Sequence, residues 1–260
     1  MDKEELIISQ NKINRIWNEL WKKEGELNSA NIFKHRLFIE GSKKFIENFP
    51  SNPTKILEVG SGSGRYSLYF AKKFPQATII ATDITPQSVK YISSLINSLG
   101  LVNCVAKESN GESLLFDDSY FDLVFCDVVI QHIVDPKPMI LEMKRVLKPG
   151  GVIILSVVNT WNFHTLYKLI ISLINRPYLY GYEKSYSRRQ LRELFSKCGL
   201  TVIKVDGFYP AYGIYRLKYI NYSFAIIGKI LNRLTKYLDK ITGGWVSKLF
   251  GFEIFIVASK

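Results

Sequence analysis

From Lys55 onward the chain alternates two kinds of segment: short apolar runs bounded by Gly, Asp or Pro, and amphipathic stretches of helical period. The runs are Lys55–Val59, Thr78–Thr82, Val102–Ala106, Phe121–Cys126 and Val152–Val157, with helical segments between them at about 65–74, 86–99 and 137–147. Near-continuous apolar strands separated by helices specify an α/β fold, a parallel sheet covered on both faces. A sixth strand fits Leu200–Val205 and a seventh Phe252–Ala258. Upstream, residues 4–48 read as two helices broken around Gly25, the second holding Phe38, Phe45 and Ile46 and ending at Pro50.

At 260 residues, 47% hydrophobic and 22% charged, the chain is too apolar for wholesale disorder and long enough to need no disulfide or metal staple. The three cysteines form no C-x-x-C pair, so no metal is expected. The polar start lacks a signal-type core and no apolar run reaches the ~18–20 residues of a membrane span, which gives the expectation of a cytoplasmic protein. Charge is uneven. Residues 1–150 carry 19 Lys and Arg against 18 Asp and Glu; residues 151–260 carry 16 against 5. A basic second half implies an anionic partner: phosphorylated substrate, nucleic acid or an acidic membrane surface.

The stretch Ile56-Leu57-Glu58-Val59-Gly60-Ser61-Gly62-Ser63-Gly64-Arg65 runs a strand through three alternate glycines into a helix. Glycine admits positive φ and close approach of a ligand to the backbone, and a helix start offers unpaired N–H groups. The spacing G-x-G-x-G departs from the dinucleotide G-x-G-x-x-G, and no Gly-Lys-Ser/Thr follows for a phosphate loop. Glu58, two positions before the first glycine, would repel pyrophosphate and suits a cationic ligand. Asp83, at the end of the second run, is placed to accept hydrogen bonds from the two hydroxyls of a ribose. Two further motifs follow in order: Asn110-Gly111 leading to Phe121–Val124, and Leu147-Lys148-Pro149-Gly150-Gly151 leading into the fifth run.

With these four motifs over roughly residues 54–158, the chain resembles the class I S-adenosylmethionine (SAM)-dependent methyltransferases, in the small-molecule, type 11 group that includes quinone-biosynthesis enzymes. The resemblance implies a Rossmann-like, seven-stranded, mostly parallel sheet with an antiparallel last strand and helices on both faces. N-terminal helices (1–50) would cover the cofactor, and insertions at about 159–186 and 208–250 of the domain 51–260 would form a substrate lid. It places Glu58, Gly60, Ser61, Gly62 and Gly64 around the methionine part of SAM, Asp83 on the ribose, Ile84 on adenine and Gly111 at the adenine ring. Asn110 stands where the family has Asp; its amide can accept from the exocyclic amine or donate to a ring nitrogen.

For chemistry, Asp127 at the end of the fourth run is expected to face the methionine end of SAM. His132, about one helical turn on, is the candidate general base for a hydroxyl acceptor, or else packs the turn before Asp135-Pro136. His35 and His164 lie in the flanking segments. The insertions are dense in aromatics, which wall an apolar pocket or sit at a membrane interface. Residues 224–241 form an amphipathic helix whose Lys229, Arg233, Lys236 and Lys240 suit an anionic lipid surface, unless its apolar face is buried on its own domain. Nucleic acid is disfavoured, because Cys126-Asp127-Val128-Val129 replaces the Asn/Asp-Pro-Pro-Tyr/Phe of base amino methylation. The expected reaction is methyl transfer to a small organic acceptor: a quinone, lipid-linked intermediate or sugar. RNA methylation and a non-catalytic SAM-binding scaffold are the alternatives.

Overall fold

The computed structural model describes Arg15 and residues 36–173, 182–219 and 221–260. Apart from Arg15, the first expected N-terminal helix lies outside the described residues, as do His35 and residues 174–181 of the aromatic-rich first insertion. Seven strands form one sheet: β1 (Lys55–Val59), β2 (Thr78–Asp83), β3 (Cys104–Glu108), β4 (Phe121–Asp127), β5 (Leu147–Val158), β6 (Thr201–Phe208) and β7 (Glu253–Ser259). Their spatial order is β3-β2-β1-β4-β5-β7-β6. Strands β1 to β5 pair in parallel, and β7 inserts antiparallel between β5 and β6. The expected seven-stranded α/β architecture with an antiparallel last strand is therefore the one observed.

Alternation along the strands divides the apolar side chains between two layers. Leu57, Val124, Ile153, Leu155 and Ile256 point to one face, where α4 (Lys137–Val146) supplies Met139, Ile140 and Met143 and α6 (Arg188–Lys197) supplies Leu191 and Phe195. Ile56, Ile79, Phe125, Ile154 and Phe255 point to the other. There α1 (Arg36–Ile46) brings Phe38 and Phe45, α2 (Arg65–Lys73) brings Leu68 and Phe70, and α3 (Pro86–Ser98) brings Ile92 and Leu95. Phe45 is wholly buried, its ring 5.0–5.6 Å from those of Tyr66, Phe125, Phe208 and Phe255, which welds α1 onto the sheet.

β2, β4 and β7 differ from the sequence reading by one residue at one or both ends, and three strands differ by more. β3 begins at Cys104 because Val102 is fully solvent-exposed, its apolar character idle. β6 continues to Phe208 because β7 pairs with it that far. β5 begins at Leu147, so Lys148-Pro149-Gly150-Gly151 lies within it; the register jumps from Phe121 facing Leu147 to Leu123 facing Val152, and Gly150 at φ 74° absorbs the irregularity. The insertions carry α5 (Phe163–Leu173), α7 (Tyr212–Arg216), α8 (Ser223–Thr242) and α9 (Trp245–Phe250). Among the described residues no helix is long and apolar enough to cross a membrane.

Candidate active site

Strand order reverses between β1 and β4, and at such a switch point the loops leaving the carboxyl ends of the two strands diverge and open a crevice. The glycine turn leaves β1 there. Gly60, Gly62 and Gly64 all have positive φ (74°, 53° and 71°). A Cβ on Gly60 would strike the Val129 side chain, and one on Gly64 would strike Ile92. The Gly60 and Ser61 N–H groups both donate to the Thr82 carbonyl at 2.8 Å, locking the turn to β2.

Asp83, 6% exposed, joins the same unit: Oδ2 accepts from Gly62 N–H at 2.8 Å and Oδ1 from Thr85 N–H at 2.9 Å. Burial raises its pKa, against the pull of those N–H groups. The neighbouring Ile84 side chain is 44% exposed. Across the edge, Ser109 N–H donates to the Asp83 carbonyl, while the buried Ser109 hydroxyl has no hydrogen-bond partner among the described residues. Asn110 Oδ1 accepts from Glu112 N–H at 3.0 Å, so its amide NH₂ is the end turned to other partners. A Cβ on Gly111 would come within 3.1 Å of Val59 and 3.2 Å of Met139. The structure thus brings Gly60, Ser61, Gly62 and Asp83 together, with Asn110 and Gly111 on the loop after β3.

Glu58 is 1% exposed. Its Oε2 accepts from Ser67 N–H at 2.8 Å and from the Ser67 hydroxyl, tying the first turn of α2 to β1. Desolvation dominates over these donors and pushes its pKa up to about 8. At neutral pH the carboxyl is therefore largely protonated until a cation or a shift in pH ionises it.

Asp127 closes β4 between two fixed partners, Arg65 at 2.8 Å on Oδ2 and the Ser156 hydroxyl at 2.5 Å on Oδ1. The next residue, Val128, holds φ 51°, a conformation a β-branched side chain adopts at a cost of order 1–3 kcal/mol. Its N–H donates to the Ser156 carbonyl at 3.1 Å, which holds the strained turn against β5. Glu253, opening the antiparallel β7, is buried at the same edge. Desolvation and the Asp127 charge raise its pKa, opposed by Arg65 and Arg216. Arg65, Ser156, Arg216 and Glu253 escaped the sequence reading because distant strand pairing assembles them. One signal was present: Glu253 is a lone acid heading a strand of apolar residues.

His132 ends a short 3-10 turn (Ile130–His132) and is 7% exposed. Its Nδ1 lies 2.9 Å from the Tyr182 carbonyl, which only an N–H can engage. Its Nε2 is then the acceptor and faces Gln131 Nε2 at 3.2 Å; the amide orientation is fixed because Gln131 Oε1 accepts from Val158 N–H at 2.8 Å. Glu183 stands 4.0 Å away, ion-paired to Lys168 of α5 at 2.6 Å. Burial lowers the His132 pKa. Both ring nitrogens are thus engaged, and of its two sequence readings the geometry favours the packing one. His164 is buried on α5, its ring 5.6 Å from that of Phe252, and desolvation pushes its pKa down to about 4.

Comparison with known proteins adds the family. Residues 50–185, just over half of the chain, match the profile of the methyltransferase domain. Malonyl-[acyl-carrier protein] O-methyltransferase of Hahella chejuensis is 32% identical over 117 residues, 45% of this chain and 40% of that one. The ubiquinone/menaquinone biosynthesis C-methyltransferase UbiE of Cupriavidus taiwanensis is 31% identical over 109 residues, 41% and 44% of the two chains. The aligned part is thus less than half the length of these relatives. A SAM-dependent methyltransferase of Aquifex aeolicus shares the fold, with a TM-score of 0.58 at 17% identity, over 90% of this chain and 98% of that one. The chain belongs to the methyltransferase domain family, in its class I SAM-dependent branch.

Proposed function

We propose that this protein binds SAM in the crevice between the glycine turn and β4 and methylates a small organic acceptor with a substantial apolar part. The observation that carries the reading is the Gly60–Asp83 unit, in which a carboxylate is anchored by one N–H per oxygen at the switch point. The two Asp83 oxygens are hydrogen-bond acceptors, which the two O–H donors of a ribose diol need. The Asn110 NH₂ and the exposed Ile84 side chain are a polar and an apolar complement to adenine. Glu58 and Asp127 put acidic groups on the methionine side. The residues present fit the cofactor.

The chemistry SAM supplies when bound is an electrophilic methyl carbon on a sulfonium. The protein's part is alignment and exclusion of water, which supply most of the rate for such a displacement. Asp127, held by Arg65 and Ser156, is the rigid acidic wall of the reacting zone. His132 holds the 182–186 segment to the sheet edge through the Tyr182 carbonyl. As a base, it would have to give up the Gln131 contact. The insertions at 159–186 and 208–250 select the acceptor. Their exposed aromatic and aliphatic side chains, Trp161, Phe163 and Tyr182 among them, support an apolar one.

The test is transfer of label from methyl-labelled SAM into organic-extractable and aqueous small-molecule fractions. Label entering the organic fraction, and lost with Asp83→Ala, sustains the proposal. Label entering RNA alone contradicts it.

A further inference from the structure

The 20-residue helix α8 is seated on the domain by the wrong face for an ordinary surface helix. Ala225 and Gly228 are its buried residues. A Cβ on Gly228 would lie 2.8 Å from the Tyr215 backbone, so α8 rests directly on the main chain of α7. Asp239, on the same side, accepts from Ser247 N–H of α9 at 2.9 Å, and Lys236 bonds Glu40 of α1 at 2.6 Å. At about 100° per residue, Ile226, Ile230, Leu234, Tyr237 and Ile241 fall on the opposite face. All five are 50–64% exposed. Between the seated face and the apolar face runs a third stripe, Lys229, Arg233 and Lys240, exposed and without a carboxylate partner among the described residues. The arrangement recurs on α5: His164 and Ile171 turn inward while Phe163, Leu166, Ile170 and Leu173 are 50–74% exposed. Both helices pack on α7.

We infer that α8 is an interfacial docking helix for a bilayer rich in anionic lipid. A membrane surface satisfies both outward stripes at once. The apolar face enters the boundary between headgroups and acyl chains, and the basic flank meets lipid phosphates. Tyr237 and Trp245, 64% and 55% exposed, are amphipathic rings of the kind favoured at that depth. A second copy of the chain is a poorer occupant. An isologous pairing sets the same patch against itself, bringing one Lys229–Arg233–Lys240 stripe up to another. The excess of 16 basic over 5 acidic residues in 151–260 favours the same anionic partner. The inference stands independently of the methyl-transfer proposal.

The full-length protein is sedimented with vesicles of phosphatidylcholine alone and of phosphatidylcholine mixed with phosphatidylglycerol. Wild type is expected to pellet with the mixed vesicles, less so at high salt, and to stay in solution with the neutral ones. Ile230→Asn with Leu234→Asn is expected to lower partitioning about tenfold or more at unchanged melting temperature, since both side chains are exposed. Lys229→Gln, Arg233→Gln and Lys240→Gln together should abolish the phosphatidylglycerol dependence. Wild-type indifference to phosphatidylglycerol would overturn the inference, as would wild-type partitioning of both variants. So would a lipid-independent dimer that the paired Asn substitutions dissociate, because that result assigns the face to a second copy.

Discussion

Asp83 and Glu58 show how neighbouring acids on one edge acquire different tasks. Asp83 holds the glycine turn at the sheet edge through the Gly62 and Thr85 N–H bonds, whereas Glu58 is sunk beneath the turn with Ser67. The Glu58 pKa of about 8 has a consequence for stability. Between its ordinary value near 4.5 and about 8 the native state holds a proton that the unfolded state has released, so stability falls as pH rises through that window. Glu58→Gln, which mimics the protonated form and keeps an oxygen for Ser67 N–H, is expected to melt several degrees above wild type at pH 9 and close to it at pH 5. Equal slopes of melting temperature against pH in the two proteins would show that Glu58 is not the group responsible. The turn and Asp83 were legible in the sequence because all their partners lie within a few residues of β1 and β2. Glu253 and Arg65–Asp127 were not, because only strand order brings residues 65, 127 and 253 to one edge.

At the scale of elements, the α5–β4 edge depends on a buried ion pair. Lys168 on α5 and Glu183 are 13% and 3% exposed at 2.6 Å, and Glu183 in turn faces His132. The lysine holds the Glu183 carboxyl below its usual pKa despite burial, so this contribution is present at neutral pH and lost as pH falls. Removing one partner of such a pair is costly because the other charge stays buried. Lys168→Met is expected to destabilise by about 3–5 kcal/mol, read as the urea midpoint, and adding Glu183→Gln should restore a large part. A double variant as unstable as the single one would show that packing, not charge, is lost. Nothing in the aromatic-rich insertion announced this pair, since Glu183 reads there as one acid among tyrosines. The periodicity of 224–241 announced α8 and its two faces, but amphipathicity says only that an apolar face exists. Which face the domain takes was decided by Ala225 and Gly228, whose small size lets α8 lie on the α7 backbone.

Across the whole molecule, the glycine turn and both insertions leave the same edge of one sheet, where Val158 of β5 and Phe208 of β6 both face Glu253. β1, β2 and β4 end in the Gly60–Asp83 unit and Asp127, while the insertion helices α5 and α8, both packed on α7, turn apolar faces outward. Taken together, the two proposals describe an enzyme that methylates an apolar acceptor at a membrane surface. The deciding measurement is calorimetric titration of the folded protein with SAM and with its demethylated product, beside Asp83→Ala. Micromolar binding of both ligands by wild type is predicted, with affinity lowered at least about 100-fold in Asp83→Ala through loss of two charge-assisted ribose hydrogen bonds of about 1.5–3 kcal/mol each. No binding by folded wild-type protein, or equal affinity in the two proteins, would contradict it.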